Sequence, residues 1–222
     1  MPAVARHLVS AEERKALVQI KMTTFVLTAA YSYLLGSIPF GYLLVRVFRG
    51  QDVRQTGSGN IGATNVSRTS KGLGALTLVL DALKGLAAVV ITRMTFPGNK
   101  TLLGAAAFFA IAGHMFPAWL RFRGGKGVAT GLGSFIALTP KTVLVMFAIF
   151  VVVFLLFRYV SLASIVAVAL FPLLACIIEP EGATSRVLPF IAAASLLIIA
   201  KHYENIRRLL DHTESRFQWR RT

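Results

Sequence analysis

Residues 141–178 read KTVLVMFAIFVVVFLLFRYVSLASIVAVALFPLLACII. Two apolar runs, 141–157 and 161–178, are parted only by Arg158, Tyr159 and Val160. A helix needs about 20 apolar residues to cross the hydrocarbon of a bilayer. Neither run alternates apolar with polar residues as a half-buried strand would. The stretch therefore reads as two neighbouring transmembrane helices joined by a tight basic turn.

Outward from it, the same reading gives seven segments: 22–47, 73–96, 101–120, 128–139, 141–157, 161–178 and 187–200. The fourth, closed by Pro140, is short for a full crossing. Composition agrees: 55% of the 222 residues are hydrophobic and 15% charged, against about 25% charged in soluble domains, and the mean hydropathy is +0.67. The expected fold is all-α, a polytopic membrane helix bundle of about seven transmembrane helices in a single integral-membrane domain over residues 22–222. Residues 1–21 form an N-terminal extension. They are mixed and charged, unlike a cleavable signal peptide, and 11–20 carry the pattern of a short amphipathic surface helix.

The formal charge is +15, from 24 Lys+Arg against 9 Asp+Glu. If all seven segments cross, one side receives 46–72, 121–127, 158–160 and the tail from Lys201, with 15 of those cations, and the other side receives 8. The richer side is cytoplasmic by the positive-inside bias, which puts the amino terminus outside and the tail in the cytoplasm. Cations set in short loops between apolar runs suit anionic headgroups and anionic substrates, not nucleic acid. The lone cysteine, Cys176, lies in an apolar segment and reads as packing.

Two glycine-rich stretches fall on the cytoplasmic side. The first is Gly57-Ser58-Gly59-Asn60-Ile61-Gly62-Ala63-Thr64-Asn65 and the second is Gly124-Gly125-Lys126-Gly127. Glycines let successive backbone N–H groups converge on one point, and such nests hold phosphate oxygens. Ser58, Asn60, Thr64 and Asn65 add neutral polar groups and Lys126 adds a point charge. Tight turning alone explains neither four glycines nor the lysine, so the pair points to a phosphate-handling site at the bilayer surface.

Further polar groups lie in or beside the apolar runs. Asp81 and Lys84, three apart on one helix face, pair with each other or face the bundle interior. His114 ends the third segment just before the Lys126 loop and reads as a site residue. Ser161 opens the sixth segment, where helix capping is the plainer use. Beyond Lys201, His202 and Asn205 share a face of a continuing helix, and Arg207 and Arg208 reach toward headgroups.

Several chemistries are excluded or disfavoured. The histidines, cysteine and carboxylates are not clustered at metal-ligand spacing, so no metal and no cofactor is expected. Val128 follows Gly127 where a Walker loop needs Ser or Thr. The Gly-x-Ser-x-Gly elbow is absent, and so is a usable His-x-x-x-x-Asp pair. A transporter of phosphate esters is the alternative from another class, but no internal repeat is visible and the polar residues gather at one face. A cytidine-diphosphate-alcohol phosphatidyltransferase would need a carboxylate-rich metal motif.

The residues carry a resemblance. Gly36-Ser37-Ile38-Pro39-Phe40-Gly41, the 57–65 loop through Arg68, Gly113-His114, residues 124–130, Arg158-Tyr159-Val160-Ser161-Leu162-Ala163-Ser164 and the run His202 to Leu209 resemble the bacterial acyl-phosphate:glycerol-3-phosphate acyltransferases, in order over nearly the whole chain. The resemblance implies a seven-helix inner-membrane enzyme with its site facing the cytoplasm. Its substrates would be glycerol 3-phosphate and a long-chain acyl phosphate, with membrane lipids around it. By motif, Ser58 and Arg68 correspond to the first essential region, Gly124, Gly125, Lys126 and Gly127 to the loop binding the glycerol 3-phosphate phosphate, and Ser161, His202 and Asn205 to the third region. Gly57, Gly59, Asn60, Thr64, Asn65 and His114 join the phosphate-binding set. The chain departs from the family at residues 1–21, and at Asp211-His212-Thr213-Glu214, where Gly-x-Glu is common and the role of Glu214 stays open.

Acyl phosphate is an activated mixed anhydride, so the expected catalyst mainly orients two phosphates and a hydroxyl, worth about 7–11 kcal/mol. Loop N–H groups, Lys126 and Arg68 are expected to stabilise developing charge. The donor phosphate takes the proton in direct transfer, with His202, oriented by Asn205, as the variant base.

Overall fold

The structure is a computed structural model and describes residues 10–181 and 185–217. Residues 1–9 of the N-terminal extension lie outside the described residues. Among the described residues, ten α-helices follow in order: α1 (Ala11–Gly36), α2 (Phe40–Arg49), α3 (Ala63–Thr69), α4 (Lys71–Thr95), α5 (Lys100–Met115), α6 (Val128–Leu138), α7 (Pro140–Phe157), α8 (Val160–Ile178), α9 (Leu188–Ala200) and α10 (Tyr203–Leu210). The described residues hold no strand.

Among the described residues, five stretches are long and apolar enough to cross a membrane: Ala11–Arg49, Lys71–Thr95, Lys100–Leu120, Pro140–Phe157 and Val160–Ile178. α6 and α9 are apolar but short. The 11 residues of α6 rise about 16 Å, against a hydrocarbon core of about 30 Å. Each of the seven expected segments is helical, with two differences. α1 starts at Ala11, so residues 11–21 are the exposed first turns of one continuous helix, opened by a capping box between Ser10 and Glu13. The first segment also breaks at Ser37, Ile38 and Pro39, because proline has no N–H to continue the ladder.

The outer surface is apolar. Leu144, Phe147, Val152, Leu155 and Leu156 of α7 are all exposed, which suits lipid as the solvent. Inside, α5 is buried along most of its length. Helices lack a hydrophobic drive to associate in lipid, so close backbone approach has to supply packing. Two crossings do so through glycine. A Cβ on Gly36 or Gly113 would lie 2.0 Å from the Ala110 carbonyl oxygen or 2.2 Å from that of Tyr33, locking α1 against α5. Gly133 and Gly85 stand likewise against the carbonyls of Ala82 and Thr130, locking α6 against α4. Ile111, Met115, Phe135, Phe171, Ile191 and Ile198 fill the space between. At the α7 amino end, Glu179 accepts from the Thr142 N–H at 2.7 Å and hydroxyl at 3.0 Å. The packing gathers the end of α5 and the starts of α6, α8 and α10 at one end of the bundle.

Candidate active site

After α5 the chain makes a tight turn with Arg121 and Phe122 both left-handed, then doubles back. The Gly124 N–H donates to the Met115 carbonyl at 3.1 Å and the Gly125 N–H to the His114 carbonyl at 3.0 Å. Gly127, at φ 84, turns the chain into α6. Lys126 is thereby aimed across the bundle end, where its Nζ donates to Asn205 Oδ1. Burial pushes the Lys126 ammonium down to about 8; Glu214 and Glu204 oppose that, while the positive charges of Arg208 and Arg68 add to it.

Asn205 leads to the centre of the site. Its Nδ2 donates to Glu214 Oε1 at 2.6 Å, and the Ser161 hydroxyl donates to the same oxygen at 2.6 Å. Arg208 Nε donates to Oε2 at 2.7 Å. Burial works to raise the Glu214 carboxyl, but the bonds from Ser161, Arg208 and Asn205 outweigh it and hold the group below its ordinary value. The segment carrying Glu214 is itself strapped down: the Phe217 N–H reaches the Arg158 carbonyl at 2.8 Å and Arg216 Nε the Tyr159 hydroxyl at 2.9 Å. His202, at the break between α9 and α10, holds its Nδ1 2.8 Å from the Ile198 carbonyl. A carbonyl only accepts, so Nδ1 carries the proton and Nε2 keeps its lone pair. Burial pushes this imidazole down to about 4, and nearby Lys126 adds to that.

The 57–65 loop is organised by Asn65. Its Nδ2 donates to the carbonyls of Val53, Thr56 and Asn60 at 3.1, 3.0 and 2.9 Å, and its Oδ1 accepts the Ser58 N–H at 2.9 Å. Asn60 Oδ1 accepts the Gly62 N–H at 2.8 Å. Gly57 and Gly59 take left-handed conformations, and Gly57 packs against Asn65 and Arg68. Ser58 on the loop and Thr64 and Arg68 on α3 are exposed.

The expected residues thus sort into groups. Asn205 and Ser161 are joined through Glu214, Lys126 is joined to them through Asn205, and His202 and Arg68 lie within electrostatic reach of Lys126. Asn65 and Asn60 spend their side chains on the loop that presents Ser58. His114 is buried beneath Gly125 and bonded to Lys84, so it supports the loop from below. Four local expectations are corrected. The helix does not continue through His202, because the chain turns at Lys201. Ser161 does not cap α8; its hydroxyl goes to Glu214. Asn205 does not orient His202, since its amide is taken by Lys126 and Glu214. Arg208 turns inward to Glu214, whereas Arg207 stays exposed. Glu214 and Arg208 are not among the expected site residues; their signals in the sequence are the resemblance over His202 to Leu209 and the carboxylate at 214 where Gly-x-Glu is common.

The fold and site define an integral-membrane helical bundle with a bonded cluster of charged and polar side chains at one end. The glycerol-3-phosphate acyltransferase family profile matches residues 26–212, and the chain belongs to that family. It is 46% identical over 198 residues to a glycerol-3-phosphate acyltransferase of Syntrophotalea carbinolica and 48% identical over 199 residues to one of Geotalea daltonii, covering 89% of this chain and 100% of each relative. Among solved structures it is similar to PlsY, an integral membrane glycerol 3-phosphate acyltransferase. The glycerol 3-phosphate form superposes with a TM-score of 0.82 at 39% identity, and the lysophosphatidic acid form with 0.80 at 38%. In both, 88% of this chain and 96% of the other are covered.

Proposed function

We propose that the protein transfers the acyl group of a long-chain acyl phosphate to the 1-hydroxyl of glycerol 3-phosphate, giving 1-acyl-glycerol-3-phosphate (lysophosphatidic acid) and phosphate, the first step of bacterial phospholipid synthesis. Family membership supports the acceptor. The observation that carries the chemistry is the bonded set of Lys126, Asn205, Glu214, Ser161 and Arg208, two cations, one carboxylate and two neutral groups, with Arg68 of the Ser58 side within electrostatic reach of Lys126. In this reading α6 and α9 complete seven crossings of the inner membrane, with the amino terminus outside and the site facing the cytoplasm.

The Lys126 ammonium holds the glycerol 3-phosphate phosphate, since the N–H groups of Gly124 and Gly125 are taken by the carbonyls of Met115 and His114. The Ser58 and Thr64 hydroxyls and the Arg68 guanidinium take the phosphate of the donor, at a loop that Gly57 and Gly59 turn. The 1-hydroxyl oxygen attacks the acyl carbonyl carbon, the carbon–oxygen bond to phosphate breaks, and the hydroxyl proton goes to the departing phosphate. No side chain is acylated. A phosphate with a second pKa of about 6 is a better proton acceptor than an imidazole held near 4. The substrate phosphate is therefore favoured over His202 as base. His202 serves instead as a neutral polar wall of the site.

The test is acyl transfer by the purified protein in lipid cubic phase, with glycerol 3-phosphate and either palmitoyl phosphate or palmitoyl-coenzyme A. Product from the acyl phosphate alone, abolished in Lys126→Ala, is the expected result. Product only from the thioester would overturn the donor, and acylated Ser58 recovered after quenching would overturn direct transfer.

A further inference from the structure

Asp81 and Lys84 sit on α4 within the apolar bundle, 1% and 3% exposed, away from the bonded set around Glu214. Lys84 Nζ is 2.8 Å from Asp81 Oδ1. It also donates to the Ile38 carbonyl at 2.7 Å and meets His114 Nδ1 at 3.0 Å. Removing such a pair from water costs several kcal/mol per ion, and apolar side chains of like volume often serve stability as well or better. The pair is therefore poorly explained as a stabiliser. Its geometry offers another explanation, because its partners lie on the two paths that lead to the two loops of the site.

We propose that Lys84, charge-balanced by Asp81, is a positioning residue that sets the Lys126 loop against the Ser58 loop. On one side it grips Ile38 in the α1–α2 break, from which α2 runs to the 57–65 loop. On the other it grips His114, which lies directly under Gly125. A Cβ at position 125 would be 2.0 Å from His114 Nε2, while the His114 carbonyl takes the Gly125 N–H. Ring and backbone of one residue thus hold the loop whose next side chain is Lys126.

The contact also fixes the histidine tautomer. An ammonium has protons and no lone pair, so Nδ1 has to accept, and the ring proton sits on Nε2 beside the loop. Asp81 Oδ1 is paired with Lys84 at 2.8 Å and lies farther from Nδ1, at 3.5 Å, than Lys84 Nζ does at 3.0 Å.

The inference rests on the proposed assignment of Lys126 to glycerol 3-phosphate, and its test has an arm that does not. Asp81→Leu/Lys84→Met removes both charges together, so no unpaired ion is left buried. The variant is expected to insert and fold, with a thermal midpoint lowered by the unpaired Ile38 carbonyl and His114 Nδ1 alone, yet to lose about a hundredfold in kcat/KM, chiefly through KM for glycerol 3-phosphate, as about 1 Å of misplacement would give. The second arm is 15N NMR of histidine-labelled wild-type protein, expected to show His114 protonated at Nε2, with the Nδ1 signal moved in Lys84→Met. Unchanged kcat and KM in the double variant would overturn the proposal, as would a wild-type His114 protonated at Nδ1. An inactive wild type showing the Nε2–H tautomer would instead count against the proposed reaction and leave the Lys84–His114 contact supported.

Discussion

Asn205 Nδ2 and Glu214 Oε1 are 2.6 Å apart, a contact that closes the nine residues from α10 back onto the site. The asparagine faces two ways, giving its amide protons to the carboxylate and its oxygen to Lys126. Glu214 thus reaches Lys126 through one neutral intermediary, and the basic tail beyond α9 becomes a wall of the site.

Glu214→Gln tests that arrangement. The substitution puts an NH2 group in a pocket where Ser161, Asn205 and Arg208 all donate, and it removes the charge. Hydrogen bonds to a charged group are worth about 1.5–3 kcal/mol each, so the thermal midpoint should fall by several degrees and kcat/KM by more than about tenfold. Thermal unfolding in detergent and steady-state kinetics measure both; a silent substitution would contradict the geometry.

The pH dependence should carry the mark of Lys126. Its pKa is lowered to about 8, so the cation is present below that value and is lost as pH rises through it. Because kcat/KM reports the free enzyme, it should be flat near neutrality and decline on the alkaline side of about 8. Lys126→Arg, whose guanidinium keeps its proton, should lower the plateau and remove the alkaline limb.

Gly125→Ala should disable the loop. Its Cβ would enter the His114 ring, which is buried and bonded to Lys84. Overpacking of this kind costs about 1–3 kcal/mol, and the loop rather than the ring should give way, displacing Lys126. Adding His114→Ala opens the space, so activity in the double variant should exceed the product of the two single losses. A strictly additive cycle would mean that ring and loop do not touch.

Asn65→Ala should loosen the Ser58 loop without unfolding the bundle. Three carbonyls and one N–H lose their bond to Asn65; the Val53 and Thr56 carbonyls keep the N–H groups of Thr56 and Gly59, whereas the Asn60 carbonyl and the Ser58 N–H lose their partner, at about 1–3 kcal/mol each. Hydrogen exchange should show faster amide exchange over residues 56–62, unchanged protection in α5, and a matching fall in turnover.

Much of this was legible along the chain. The runs around Arg158 read as membrane helices because lipid forces backbone hydrogen bonds to be satisfied within each segment, so length and apolarity suffice. The two glycine-rich loops, Lys126 and the pairing of Asp81 with Lys84 were visible from residue type and spacing. The sequence determined these because each depends on neighbours a few residues apart or on the solvent. Only the tertiary structure decided that Glu214 binds Ser161 from 53 residues away, that Arg208 turns inward, that Asn65 spends its side chain on its own loop, and that His114 lies beneath Gly125. Those contacts depend on how closely helices approach, which glycine-on-carbonyl packing of α1 on α5 and α4 on α6 sets and which no local pattern encodes.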